Sequence, residues 1–169
     1  MEIAADGLRP PLNSSIVSRT RDAHQMNLPM PPLFRMLVDS GRWNHPGDEI
    51  LRREVPLLVD PVDFRSWLPI DTAAAEVESR FTSQDWDVFK MYRDDQPARP
   101  LPWLNADRAL FIAINRVPGD DVAIALDYRM DTTAPHIVAS HWRDNKSLEW
   151  FEVAPSFEAF ARSLGLVAG

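Results

Sequence analysis

Close to its C-terminal end the chain changes hydrophobic period within a few residues. Trp150, Glu152 and Ala154 alternate with Phe151 and Val153 at the period of a strand, and Pro155 then breaks the ladder by removing a donor. Ser156 is a natural N-cap. Beyond it Phe157, Phe160, Ala161 and Leu164 recur at i, i+3, i+4 and i+7, which makes one apolar helical face, and Gly165 can take the left-handed conformation that ends a helix. One strand therefore feeds directly into one helix, and that helix is expected to dock on a sheet.

The residues before it supply the rest of that sheet. Ala109 to Ile114 is a short continuous apolar run of the kind a doubly covered central strand shows, and Pro118-Gly119-Asp120-Asp121 reads as a turn into Val122 to Leu126. A polar loop, Met130 to Ala134, leads to a strand from Pro135 to Trp142. Arg143 to Lys146 then turns the chain into the last strand, Leu148 to Val153. Four sequential antiparallel strands make a meander within a sheet of about four to six strands. With helices before it and one after it, the fold class is α+β with a central antiparallel sheet, not alternating βαβ units.

The first half is more broken. Residues 1 to 27 form a polar arm in which no apolar period persists, and residues 28 to 169 form the single domain. Pro32 suits a first helical turn, Leu33, Phe34, Leu37 and Val38 make an apolar face, and Gly41 supplies the stop. Residues 42 to 56 read as a loop anchored by Leu51 and Val55, and 57 to 70 as irregular or a helical turn around Asp63, Phe64 and Trp67. A second helix is expected after Asp71 or Thr72, with Val77 and Phe81 facing inward. Residues 84 to 92 satisfy both strand and helix spacing.

Composition narrows the function. A chain of 169 residues suits one domain and is long enough to bury about two thirds of its unfolded surface. With no cysteine there are no disulfides, thiolate metal sites or thiol nucleophiles, as a reducing cytoplasm allows. No window approaches the run of about 18 apolar residues that a membrane span needs, and no basic-then-apolar leader opens the chain, so a cytoplasmic protein is expected. The net charge of −7 disfavours nucleic acid and would steer a basic protein partner instead. Simple solubility would require the same acidity.

Few residues suggest chemistry. His136 and His141 lie five apart on one predicted strand and so point to opposite faces, and Ser140 and His141, being neighbours, do the same. In His45-Pro46-Gly47-Asp48 a histidine and a carboxylate three apart could hydrogen-bond or hold a cation; the preferred reading is that Pro46-Gly47 makes a turn and Asp48 caps the next segment or bonds the loop backbone. No phosphate-cradling glycine loop and no paired metal-ligand spacing occurs, so no cofactor or metal is expected. Trp103 and Trp150 are assigned to the core, while Trp43 suits core or contact. Tyr128 and Arg129 end a strand where a rim residue could meet a partner. The acidic residues Asp94, Asp95, Asp120, Asp121 and Asp131 fall on predicted loops and turns with Asp127 bordering them on its strand, and these are the candidate partner-binding residues.

Ile124 to Arg129 followed by Pro135 to Val138, and then the Trp150 to Phe160 ending, resemble the close of a SUKH superfamily domain, the Smi and Knr type. Ser40 to Asp48 and Leu101-Pro102-Trp103-Leu104 are similar to pieces that such domains carry before their sheet. The resemblance spans roughly residues 28 to 166. It implies a bacterial immunity protein that binds and blocks a cognate toxin domain, often a nuclease or deaminase, with no chemistry of its own. The family features fall on Trp103, Trp150, Pro155, Ser156, Phe157 and Phe160, which look architectural. Contact positions vary within such families, so no binding residue carries over, and oligomeric state stays open. Two other readings remain: a regulatory or scaffolding interaction module with no toxin partner, and an enzyme or small-molecule binder using His45 and Asp48.

Overall fold

The computed structural model describes residues 28–64, 91–92, 100–105, 108–117, 122–144 and 147–168. The elements in order are α1 (Pro32–Asp39), α2 (Asp48–Glu54), β1 (Val62–Phe64), β2 (Met91–Tyr92), β3 (Leu104–Asn105), β4 (Ala109–Asn115), β5 (Ala123–Asp127), β6 (His136–Arg143), β7 (Ser147–Ala154) and α3 (Phe157–Ser163). The main sheet runs β1-β4-β5-β6-β7, and β2 with β3 makes a short parallel pair. Every pairing in the five-stranded sheet is antiparallel, so the fold is α+β around a meander as expected. Among the described residues no helix is long and apolar enough to cross a membrane.

Strand alternation explains how the sheet separates its two faces. The register places Ile124 and Leu126 of β5 opposite Ala139 and Ile137 of β6, with Ala113 of β4 and Phe64 of β1 in the same layer. This is the helix-covered face. Phe157 of α3 meets Phe34 of α1 at 5.0 Å between ring centroids and Trp43 at 5.5 Å, and Trp43 stacks on Phe64 at 4.5 Å. One aromatic cluster thus joins two helices to the sheet edge, and Trp43 belongs to the core. On the opposite face the rings of Phe111 and Trp150, three strands apart, come to 6.0 Å across a layer that holds Ala125, Val138 and Ser140. Pro102 accepts a hydrogen bond from the Trp150 N–H at 3.1 Å, so the segment before β3 covers the outer edge of β7 at that point.

Both helix ends that the sequence marks with glycine close in the same way. After α3 the Leu166 N–H bonds Ala161 O and the Gly165 N–H bonds Arg162 O, with Gly165 at φ 71°; after α1, Arg42 N–H bonds Leu37 O and Gly41 N–H bonds Val38 O. Arg42 Nη2 then donates to Leu166 O at 3.0 Å, which ties the two ends together. At the other end of α3, Ser156 Oγ accepts from the Ala159 N–H at 3.2 Å, the N-cap bond its position predicts.

Two expectations need correction and three fall outside the described residues. Residues 42 to 56 are not all loop: α2 occupies Asp48–Glu54, with acidic Asp48 and Glu49 in its first turn and Arg52 and Arg53 in its last, a pattern that suits the helix dipole. Residues 62 to 64, read as irregular, form an edge strand, because pairing with β4 satisfies their backbone. The polar arm 1–27, the helix expected after Asp71 or Thr72, and most of the ambiguous stretch from 84 to 92 lie outside the described residues.

The docking of α3 rests on Phe157, which is fully buried, whereas Pro155 is exposed. Phe157→Ala is expected to lower unfolding stability by about 3–5 kcal/mol. Pro155→Ala should change it by no more than about 0.5 kcal/mol. Urea denaturation of the two variants checks this.

Candidate functional site

The end of β5 carries an arrangement of backbone and charge that the sequence reading did not foresee. Asp127 and Arg129 are two apart on an extended chain, so their side chains share a face. Arg129 Nε donates to Asp127 Oδ1 at 2.8 Å and Oδ2 at 3.0 Å, and Nη2 donates to Oδ2 at 2.7 Å. The Arg129 N–H also donates to Oδ1 at 3.0 Å, and Nη1 donates to Trp103 O. The two side chains are only 5–6 % exposed. A bidentate pair with the remaining donors satisfied is the geometry in which buried charge is tolerated.

Between them, Tyr128 is fully buried. Its hydroxyl donates to Pro29 O, its N–H donates to Arg108 O at 2.8 Å, and burial pushes the phenol far above its ordinary pKa, so it stays a donor. Asp127, offered as the border of a binding surface, is therefore corrected: its carboxylate is enclosed and fully engaged by Arg129. Tyr128 and Arg129 are not rim residues either. They tie the strand end to the segments at Pro29, Trp103 and Arg108, and Trp103 itself is half-buried, less enclosed than a core assignment implies.

From this root the chain emerges as Met130 to Ala134, five consecutive exposed residues, and returns to the interior at Pro135. Asp131 Oδ1 accepts from the Thr133 N–H at 2.7 Å, the Thr133 hydroxyl at 2.7 Å and the Ala134 N–H at 3.1 Å. The bonds from Thr133, then that from Ala134, hold its carboxyl below the usual aspartate range, and nearby His136 acts in the same direction. Asp131 is thus exposed and charged, as its candidacy requires. Asp94, Asp95, Asp120 and Asp121 lie outside the described residues.

A second polar group forms where the loop before α2 meets β1. The Gly47 N–H donates to His45 Nδ1 at 3.0 Å, which puts the neutral ring's proton on Nε2; that atom lies 3.5 Å from Asp48 Oδ1 without making a hydrogen bond. The His45 ring packs edge-on to Phe64 at 5.3 Å. Arg116 donates through Nε to Asp63 Oδ1 at 2.9 Å and through Nη2 to Val62 O at 3.3 Å, and approaches Asp48 at 4.0 Å. The hydrogen bond to Asp63 raises the Arg116 pKa against a smaller desolvation effect. Gly47, at φ 105°, shapes the turn, and Asp48 opens α2. Asp63 was read only as part of an irregular stretch or helical turn and Arg116 was not singled out, because their partnership depends on the β1–β4 register.

Other candidates for chemistry are separated or occupied. His136 lies 3.4 Å from Glu152 and His141 packs on Phe151, and since Glu152 and Phe151 are neighbours on β7 the histidines face opposite sides. Ser140 Oγ, fully buried, accepts the Ala123 N–H at 2.8 Å. An open depression of about 630 Å³ on the outer side of α1 is lined by Met30, Pro32, Arg35, Met36, Asp39 and Ser40, and its one hydroxyl donates to Met36 O at 2.7 Å. Among the described residues no three His, Asp or Glu side chains are grouped to hold a metal ion. Trp150, Phe157 and Phe160 are buried, Ser156 caps α3 and Pro155 is exposed.

With this geometry in place, the chain was compared with protein-family models, curated proteins and solved structures, and nothing matches it.

Arg129→Met leaves the Asp127 carboxylate buried without its counter-charge and should destabilise the fold by about 3 kcal/mol or more, read by urea denaturation. Adding Asp127→Asn should recover part of that loss. A separate expectation concerns Asp131. A depressed carboxyl pKa contributes stability that is fully present above the ordinary value of 3.8 and is lost as pH falls through the folded value. The side-chain carboxyl carbon of Asp131 should therefore titrate below pH 3.8 by NMR. Replacing Thr133 with valine, which removes one of the three bonds, should move the midpoint upward.

Proposed function

We propose that this chain is a SUKH-like immunity protein that binds a cognate bacterial toxin domain and blocks it without chemistry of its own, acting in the cytoplasm. The observation that carries this reading is the end of the domain. The strand from Ser147 to Ala154 passes through Pro155 and the Ser156 cap into a helix seated on the sheet by Phe157 and Phe160, in the order the sequence resemblance implies.

Two further observations support it. The polar residues that might have served catalysis are engaged in holding backbone: His45 bonds the Gly47 amide, Ser140 bonds Ala123, and Asp127 is locked to Arg129. A net charge of −7 favours encounter with a cationic domain such as a nuclease, whose own substrate demands a basic face. The enzyme reading would need His45 and Asp48 to act on a substrate. In the immunity reading they shape the turn into α2.

Co-expression with the C-terminal domain of the large protein encoded directly upstream, followed by native mass spectrometry at low and moderate salt, tests the proposal. The expected result is a tight one-to-one complex that weakens as salt rises, with loss of the partner's toxicity, and the same neutralisation by the His45→Ala, Asp48→Ala variant. Absence of a complex and of any toxin-like neighbour would sink the proposal in favour of a scaffolding module. Loss of an activity in the double variant would favour the enzyme reading.

A further inference from the structure

The loop between β5 and β6 combines features that solubility alone does not require. It opens on Met130, at 77 % exposure the most exposed large hydrophobic side chain among the described residues, directly beside the charged Asp131. Both of its roots are interior: Tyr128 and Arg129 on one side, Pro135 on the other. Its path is set by three bonds to Asp131 Oδ1 and, at the base, by the Asp127–Arg129 pair and the Tyr128 bond to Pro29. A loop already ordered in the free protein loses little conformational entropy on binding, and an exposed methionine is an adaptable apolar contact.

We propose that Met130 to Ala134 is a preset docking loop, with Met130 as the apolar anchor and Asp131 as the charged contact for a basic protein partner. The proposal rests on the immunity reading and names the surface that reading would use. The chemistry of the partner follows from what the loop offers. Among the described residues Asp131 Oδ2 accepts no hydrogen bond and remains available to an arginine or lysine. The charge of Arg129 is neutralised by Asp127, and among the described residues partly exposed His136 is the basic side chain that acts on Asp131. The matching surface on the partner is an apolar pocket with a cationic rim, and the chain's net charge steers such a surface toward the loop.

Two substitutions test the loop without touching what holds it. Asp131→Asn keeps Oδ1 as an acceptor for Thr133 and Ala134 while removing the charge; Met130→Ala removes the anchor. Glu49→Gln, the same charge change on exposed α2, is the control. Affinity is measured by titration calorimetry against the upstream protein's C-terminal domain, and amide exchange is measured on the free chain.

Met130→Ala should weaken binding about tenfold, and Asp131→Asn should weaken it several-fold at low salt but less at moderate salt, with Glu49→Gln near wild type. In the free chain the Thr133 and Ala134 amides should be protected, and Asp131→Ala should release them. If the wild-type complex forms but ignores both loop variants, the docking loop is wrong and the immunity reading stands. If those amides exchange at unfolded rates, the loop is not preset and the proposal fails whatever the affinities. If wild type forms no complex, both proposals fall together.

Discussion

A guanidinium and a carboxylate held together out of water organise the part of this protein where chain segments far apart in sequence converge. Neither Asp127 nor Arg129 could be buried without the other, because an isolated charge in a low-dielectric interior is strongly unfavourable. Once paired, they leave Nη1 of Arg129 to bond Trp103 O, which brings the segment before β3 against the end of β5. Tyr128, between them, reaches Pro29 and Arg108. The strand end, the segment at Pro29 and the cover of the β7 edge are thereby held relative to one another, and the loop that leaves this junction inherits a fixed origin.

The hydrophobic layer supplies the energy that this polar junction directs. Phe34, Trp43, Phe64 and Phe157 come from α1, its trailing loop, β1 and α3, and each touches at least one of the others. Rings of this size bury much apolar area, and their edge-on and tilted contacts restrict how the elements can approach. The linked ends of α1 and α3 add direction, since Arg42 bonds Leu166 O only when both helices terminate where their glycines stop them. The cluster fixes which face of the sheet the helices occupy, and the meander's register fixes which face carries Trp150 and Phe111.

Under the proposed immunity reading, function is a matter of presentation. Among the described residues His45 and Ser140 each accept a backbone amide and Asp127 is paired with Arg129, and the exposed loop that carries Asp131 is built on that pair. That division suits a protein whose task is to hold a surface in one shape for a partner. Charge, in such a protein, acts mainly on the rate and specificity of encounter.

Much of the fold was legible in one-dimensional pattern. Alternation, the Ser156 cap, the stops at Gly41 and Gly165 and the apolar run from Ala109 to Ile114 are local signals, because a helix cap or a strand's two faces depend on residues a few positions apart. They determined the meander, the final helix and the α+β class. The short elements escaped: α2 is only two turns long and β1 three residues, too brief for a period to emerge, and β1 exists because β4 offers it a partner. The Asp127-x-Arg129 spacing was visible as two residues on one side of a strand, yet whether that side faced water or the interior was decided by Trp103, 26 positions from Arg129, and by Pro29, 99 positions from Tyr128. Burial and ion pairing are properties of the assembled chain. For that reason the sequence alone identified Asp131 as an exposed acid on a loop, while only the tertiary structure turned Asp127 from a candidate contact into the loop's anchor.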